Sequence, residues 1–267
     1  MALVRRVSLL GVLALAVTAV VAARDTDARS GSRDTHTRTG LLFNGANKSV
    51  WQDQSATSTR VRRVWDPSGG PGMALKFTAY NTDVFPLTPT GNPRAQLVTY
   101  LPVRPGAQFW ESFEVYLPPN FPVAETDKGW LSLGSPAFGQ PWKGTPPVSL
   151  SIANGDFQFQ RNGYATVPWQ VAWQTPVVLG QWIRFTWHLR LSQNGFVQLW
   201  MNNQPAELVD GVKSSTTLNL PVLDPTNDRG PWISQLSVYF KHNSFRQVTV
   251  YFRDFRIATT EALAVAG

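Results

Sequence analysis

The segment from Gln181 to Asn202 alternates between apolar and polar residues and is interrupted once, by the pair Asn194-Gly195. One set of alternating positions is wholly apolar: Ile183, Phe185, Trp187, Leu189 and Leu191. Because successive side chains of a β-strand point to opposite faces, this period of two predicts a strand with one buried face. Asparagine and glycine readily adopt the positive φ angles of tight turns. The segment therefore predicts a β-hairpin made of Gln181–Leu191 and Phe196–Asn202.

Similar strand-like runs recur along the chain, separated by turn residues. They are Met73–Tyr80, Ala95–Leu101, Phe109–Leu117, Val148–Ile152, Phe157–Arg161 and Gln247–Ala258. The pairs Asn154-Gly155 and Asn162-Gly163 mark two further turns. Twenty prolines and twenty glycines leave little room for a long amphipathic helix. The sequence thus predicts an all-β fold, a two-sheet antiparallel β-sandwich or jelly roll.

The first 40 residues differ in composition from the rest. Arg5 and Arg6 precede an apolar run, Val7–Ala23, that ends in small residues, which predicts a signal peptide (residues 1–23) and a secreted, extracellular protein. Residues 24–40 are polar and mixed in charge, so we expect a disordered tether there. The jelly-roll domain is then expected over residues 41–263, with no membrane attachment once the leader is removed.

Composition narrows the classes of partner. The chain has no cysteine, which excludes disulfides, thiol catalysis and cysteine-based metal sites. Loss of the leader lowers the net charge from +7 to +5, and no run of Lys and Arg suited to a phosphate backbone is present, so nucleic acid is not expected. A basic, tryptophan-rich, exported chain suits an acidic polysaccharide, and we expect it to be a monomer. No cofactor is expected, although a structural calcium near Asp224 and Asp228 remains open.

The segment Ser234–Gln247 is the strongest candidate for a functional surface. If it forms one regular strand, one face presents a phenol, an ammonium, two amides and an aromatic ring: Tyr239, Lys241, Asn243, Gln247 and Phe245. Such a row could handle a sugar, or it could be a solvated strand face. Trp142, Trp169 and Trp173 lie in irregular stretches, where they could stack on sugar rings or fill cavities beneath loops.

Four segments together resemble the jelly-roll polysaccharide lyases, which include alginate, glucuronan and heparin lyases and share the concanavalin A-like sandwich. They are Leu179–Pro205, Val248–Thr259, Asn92–Leu97 (NPRAQL) and Tyr239–Gln247 (YFKHNSFRQ). The resemblance implies β-elimination next to a uronate, in a basic groove. It also implies that Arg94 and Gln96 contact the sugar carboxylate, that Lys241 adds a charge beside them, and that Asn243 and Gln247 border the subsite.

The sequence departs from the family at its catalytic positions. The family's catalytic tyrosine falls at Phe245, and its Gln-x-His strand reads Leu131–Ser135, without glutamine or histidine. If the protein is an enzyme, Tyr239 or His242 would replace the missing tyrosine, with Lys241 nearby. By strict alternation His242 faces the other way unless a bulge turns it.

Three functions therefore remain open. The first is a lyase with a rearranged acid–base set, and the second is a non-catalytic carbohydrate-binding protein on the same scaffold. The third is a glucanase-type hydrolase, which needs two converging carboxylates. The close pair Glu111 and Glu114 is three residues apart on a predicted strand, so the two side chains should point to opposite faces.

Overall fold

Alternating apolar residues build most of the described chain into strands. The computed structural model describes residues 40–84, 91–101, 103–139, 146–161, 169–223 and 232–266, without the side chains of 137–139. The strands are β1 Leu41–Asn44, β2 Gln52–Asp53, β3 Val61–Trp65, β4 Met73–Tyr80, β5 Arg94–Tyr100, β6 Gln108–Tyr116, β7 Leu131–Gly139, β8 Val148–Ala153, β9 Asp156–Arg161, β10 Gln170–Pro176, β11 Trp182–Arg190, β12 Phe196–Met201, β13 Gln204–Pro205, β14 Leu208–Asp210, β15 Lys213–Ser215, β16 Leu218–Asn219, β17 Trp232–Phe240 and β18 Gln247–Ala258.

Helical segments are short. Three 3₁₀ turns cover Lys48–Val50, Ser58–Arg60 and Val123–Lys128, and one α-helix, α1, covers Glu261–Val265. Among the residues described, no helix is both long and apolar enough to span a bilayer.

Two antiparallel sheets form the sandwich predicted from the sequence. The larger has nine strands in the order β13-β12-β11-β6-β18-β4-β3, with β1 beside β18 and β16 beside β12. The other has seven strands in the order β10-β9-β8-β7-β17-β5-β2, and β14 and β15 pair separately. We call them the nine-stranded and the seven-stranded sheet.

Aromatic side chains fill the space between the two sheets. Phe113 is fully buried and contacts the rings of Trp187, Phe252 and Phe255 at centroid distances of 5.2, 6.1 and 6.3 Å. Gly134 of the seven-stranded sheet faces this cluster, and a Cβ there would lie 3.3 Å from the Phe113 ring. The outward face of the seven-stranded sheet remains available for polar residues.

Most strand predictions are confirmed. β4 and β18 have the predicted ends, and β11 and β12 form the predicted hairpin around Asn194-Gly195. Asn154 and Gly155 have φ angles of 53° and 77° and join β8 to β9. The predicted turn at Asn162-Gly163, the leader and all of the tether except Gly40 lie outside the described residues.

The prediction of one strand over Ser234–Gln247 is wrong. β17 ends at Phe240, and Gln247 begins β18 in the other sheet. Asn243 has a φ of 66°, and its side chain and backbone both pair with the amide of Asn81. Phe245 turns inward and packs on Phe240. The alternation breaks because the chain has to cross between the sheets here, and asparagine accepts the left-handed conformation that the crossing needs.

A charged network covers part of the outward face of the nine-stranded sheet. Arg253 forms ion pairs with Asp66 and Glu114, and Arg184 forms a second pair with Glu114. Burial alone would raise the pKa of Asp66. Hydrogen bonds from Ser68 and Trp182 and the charge of Arg253 outweigh that effect, so the pKa of Asp66 is lowered.

Arg253→Met should lower the free energy of unfolding by about 2 kcal/mol, because it leaves two largely buried carboxylates without one of their cations. The lowered pKa of Asp66 stabilises the fold above the ordinary carboxyl pKa, and that contribution is lost as the pH falls through the folded-state pKa. Urea unfolding at neutral and acidic pH should therefore show the larger deficit at neutral pH. Arg190→Met, at an exposed site of the same sheet, is the control, and an equal loss there would contradict the assignment.

Candidate functional site

A row of polar residues crosses the outward face of the seven-stranded sheet. Strand register places them side by side on β5, β17, β7, β8 and β9, in the order Arg94, Tyr239, Ser132, Ser151 and Gln158. The residues between these polar positions on the same strands, such as Val238 and Leu150, point to the other face and are buried in the core. The period of two thus separates a polar working face from the apolar interior.

A cavity of about 200 Å³ lies on this face. Its described lining consists of Trp130, Ser132, Ser135, Pro146, Ser149, Ser151, Gln160, Trp169, Gln235 and Tyr239. Register shifts around Leu133 let Ser132 and Ser135, three residues apart, open onto the same cavity. Four serine side chains and the indole rings of Trp130 and Trp169 line this cavity.

Tyr239 is held from three sides. The guanidinium carbon of Arg94 lies 4.6 Å from the centroid of the phenol ring. Trp130 meets the ring edge-on at a centroid distance of 5.0 Å. The Asn92 amide donates a hydrogen bond to the phenol oxygen at 3.3 Å. The phenol therefore has a defined position in the cavity wall, with a cation against its face.

Arg94 and Tyr239 come together because they are directly opposite on β5 and β17. Arg94 is half-buried, and this burial lowers the pKa of its guanidinium, while the neighbouring Tyr239 opposes that shift. The guanidinium keeps its positive charge, because the ordinary pKa of arginine lies far above neutrality.

Gln96 has a different environment from the one predicted. Its side chain is buried and donates to Gln235 Oε1 at 2.8 Å and to Gln54 Oε1 at 3.2 Å. Both N–H groups of the amide are thus engaged within the protein. Gln96 lies beside Gln235, which lines the cavity, and holds its amide in place.

Lys241 and His242, just after β17, are not among the described residues that line the cavity. Lys241 is exposed, its backbone N–H donates to Trp130 O, and its aliphatic stem passes Gly129. His242 is exposed, and its backbone N–H donates to Asn92 Oδ1 at 3.0 Å. Asn92 therefore connects this turn to the hydroxyl of Tyr239.

Asn243 and Gln247 do not join Arg94 on one surface. Asn243 belongs to the crossing turn described above, where its amide is paired with Asn81. Gln247 lies on β18 and lines a separate cavity on the nine-stranded sheet. The two residues were placed beside the groove only by assuming a regular strand, and the turn removes that basis.

The three tryptophans predicted to stack on sugars or fill cavities lie in different environments. Trp169 lines the cavity and keeps 39% of its surface exposed, as expected of a ring that stacks on a sugar. Trp173 packs towards the interior, 6.4 Å from the Phe185 ring. Trp142 lies outside the described residues.

The calcium candidates Asp224 and Asp228 also lie outside the described residues. The described chain brings no three His, Cys, Asp or Glu side chains together as metal ligands.

Glu111 and Glu114 point to opposite faces, as the sequence predicts. Glu111 is completely buried between the sheets, and burial raises its pKa to about 8. The Ser234 hydroxyl and the Trp187 indole offset part of that rise, without hydrogen bonds of good geometry to the carboxyl group. Glu114 faces outward to its arginines, so the pair cannot act as the two carboxylates of a glycosidase.

Several lining residues were missed by the sequence reasoning. Ser149 and Ser151 alternate with the apolar residues of β8, so their face could have been read from the pattern. Trp130 and Asn92 flank strands and carry no periodic signal. Their positions depend on how the ends of β7 and β5 approach β17.

A two-sheet jelly roll with an aromatic-walled, hydroxyl-lined cavity across one sheet has the character of a carbohydrate-active protein. The family model described as polysaccharide lyase matches residues 43–241, and the chain belongs to this family. No curated protein sequence adds a further match.

Solved structures with the same fold include two alginate lyases. Alginate lyase A1-II', a member of polysaccharide lyase family 7, superimposes with a TM-score of 0.56 at 13% identity, over 79% of this chain and 94% of that one. The PL-14 alginate lyase from Aplysia kurodai gives a TM-score of 0.51 at 11% identity, over 82% and 97% of the two chains. At these identities the superpositions establish the jelly-roll fold alone.

Proposed function

We propose that the protein is a secreted lyase that cleaves a uronic-acid-containing polysaccharide by β-elimination. Tyr239 is the proton-transfer residue, and Arg94 is the partner of the uronate carboxylate. The contact between the Arg94 guanidinium and the Tyr239 ring, at the wall of the serine-lined cavity, is the observation that carries this proposal.

The chemistry requires a cation and a proton-transfer group side by side. The C5 proton of a uronate is very weakly acidic, so charge must first be stabilised on the adjacent carboxylate. Tyr239 acts as the phenolate, next to the Arg94 guanidinium and the Asn92 amide, and its oxygen takes the C5 proton. The electrons of that C–H bond form the C4–C5 double bond. The C4–O bond breaks, and the departing glycosidic oxygen receives a proton. Tyr239, now a phenol, donates this proton, which regenerates the phenolate.

The rest of the cavity suits the sugar rings. Trp130 and Trp169 offer flat apolar faces, and the four serines, with Gln160 and Gln235, offer hydrogen bonds to hydroxyl groups. Of the described residues that line this cavity, only Tyr239 is titratable. Arg94, whose guanidinium lies against the Tyr239 ring, adds a positive charge beside the cavity and favours a uronate next to the reacting bond.

A panel of uronic-acid polymers tests the proposal. Alginate, glucuronan, hyaluronan and a heparin-type polymer are incubated with the mature protein, and new unsaturated ends are followed by ultraviolet absorbance. We expect absorbance to rise on at least one polymer, and none on dextran, which has no uronate. Absence of a rise on every polymer would contradict a lyase and leave carbohydrate binding, to be measured separately on the same panel.

A further inference from the structure

A second polar cavity of about 240 Å³ lies on the outward face of the nine-stranded sheet. Its lining includes Arg60, Arg62, Lys76, Thr78, Tyr80 and Gln247, contributed by β3, β4, β18 and the preceding 3₁₀ turn. The sandwich lies between this cavity and the one at Tyr239, so the two open on opposite outer faces.

Two cations meet in this cavity without a carboxylate between them. Arg62 and Lys76 are directly opposite each other on β3 and β4. Within the described chain, neither forms an ion pair with an acidic side chain. Like charges opposite each other destabilise a sheet, so an anion held between them would relieve their repulsion.

The other charge in the lining is already neutralised. Arg60 forms a two-pronged ion pair with Asp83, at 2.6 and 2.7 Å, and lies 4.4 Å above the Tyr80 ring. This pairing fixes Arg60 and leaves the excess positive charge with Arg62 and Lys76. The nearby carboxylates Asp66 and Glu114 are bound to Arg253 and Arg184.

Neutral hydrogen-bonding groups surround the cation pair. Thr78 and Thr249 share a hydroxyl–hydroxyl hydrogen bond of 3.0 Å, and the exposed amide of Gln247 is opposite Tyr80. Two positive charges among hydroxyl, amide and aromatic groups match a carboxylate attached to a hydroxylated ring. Binding of a nucleic acid backbone would need a longer row of cationic side chains.

We propose that this cavity is a second binding site, which holds a carboxylate-bearing sugar of an acidic polysaccharide. The site lies apart from the Tyr239 cavity and takes part in no bond cleavage. Its role is to increase the affinity of the protein for the polymer.

Polymer binding in a Tyr239→Phe background tests the site, whether or not the parent protein cleaves the polymer. Affinity electrophoresis at low salt measures the Kd for polyglucuronate, with dextran as the neutral polymer. The Arg62→Ala/Lys76→Ala pair should raise the Kd roughly tenfold, since two exposed ion contacts are lost. The control pair Arg190→Ala/Lys213→Ala removes two exposed cations elsewhere and should change the Kd less than about twofold.

Three results would overturn the site: an unchanged Kd in the Arg62/Lys76 pair, an equal loss in the control pair, or an equal loss for dextran. A DNA oligonucleotide that binds more tightly than polyglucuronate, with the same dependence on Arg62 and Lys76, would overturn the assignment to a sugar. Failure of the lyase assay leaves this measurement unaffected, because it records binding alone.

Discussion

Tyr239→Phe should lower the rate of polymer cleavage roughly 1,000-fold while changing the Kd for the polymer less than about threefold. A phenylalanine ring keeps the contacts with Arg94 and Trp130 but cannot take or return a proton. Positioned acid–base groups typically contribute a factor of about 100 to 10,000, which sets the expected size of the loss. The rate is measured as the appearance of unsaturated ends on the polymer that gives the highest parent activity.

Tyr100→Phe is the matched control for this variant. It removes the same hydroxyl from an exposed tyrosine at the end of β5, which does not line the Tyr239 cavity, and should leave the rate unchanged. A Tyr239→Phe protein that cleaves at the parent rate would remove Tyr239 from the mechanism. His242→Ala would then test the other candidate, whose backbone is bound to the same Asn92.

Glu111→Gln should stabilise the protein by roughly 3 kcal/mol near pH 7 and by much less near pH 5. The pKa of Glu111 is about 8 in the folded chain, against an ordinary value of 4.5. Between these values the unfolded chain loses the proton while the folded chain retains it. The glutamate thus costs about 1.4 kcal/mol of stability for each pH unit in this window, and the cost becomes constant above it.

Urea unfolding between pH 5 and pH 9 measures this difference. The gain of Glu111→Gln over the parent should grow with pH up to about pH 8, since the amide has no proton to lose. Glu114→Gln is the matched control, because its carboxylate is paired with two arginines, and it should destabilise the protein at neutral pH. A gain that does not depend on pH would contradict the account of Glu111.

The fold and part of the site follow from local pattern. Alternation over Trp182–Arg190 and over residues 247–252 is strict enough to predict strands, and Asn-Gly pairs identify two of the hairpins. The resemblance to the lyases implied Lys241 beside Arg94, and the contact between Arg94 and Tyr239 was not itself predicted. That contact is produced by the register of β5 against β17, which no local period specifies.

The predicted strand extended past the true end of β17. The apolar alternation stops at Phe240, whereas the predicted strand continued through the polar residues that follow. The chain leaves the sheet there, because Asn243 adopts a left-handed conformation and Phe245 packs inward. Gln96 shows a second limit. Its strand face was predicted correctly, but the amides of Gln54 and Gln235 already occupy it. Burial by distant neighbours is a tertiary property that a period of two does not encode.

The opposed positions of the two cavities affect how the protein would move through a hydrated gel. Stacked sheets are separated by about 10 Å, and the full sandwich blocks any short route from one outer face to the other. If both cavities bind the polymer as proposed, an oligosaccharide of a few units occupies one of them at a time, whereas neighbouring polymer chains of a matrix can occupy both. Crosslink density, and not only the concentration of free sugar, would then govern the diffusion of the protein.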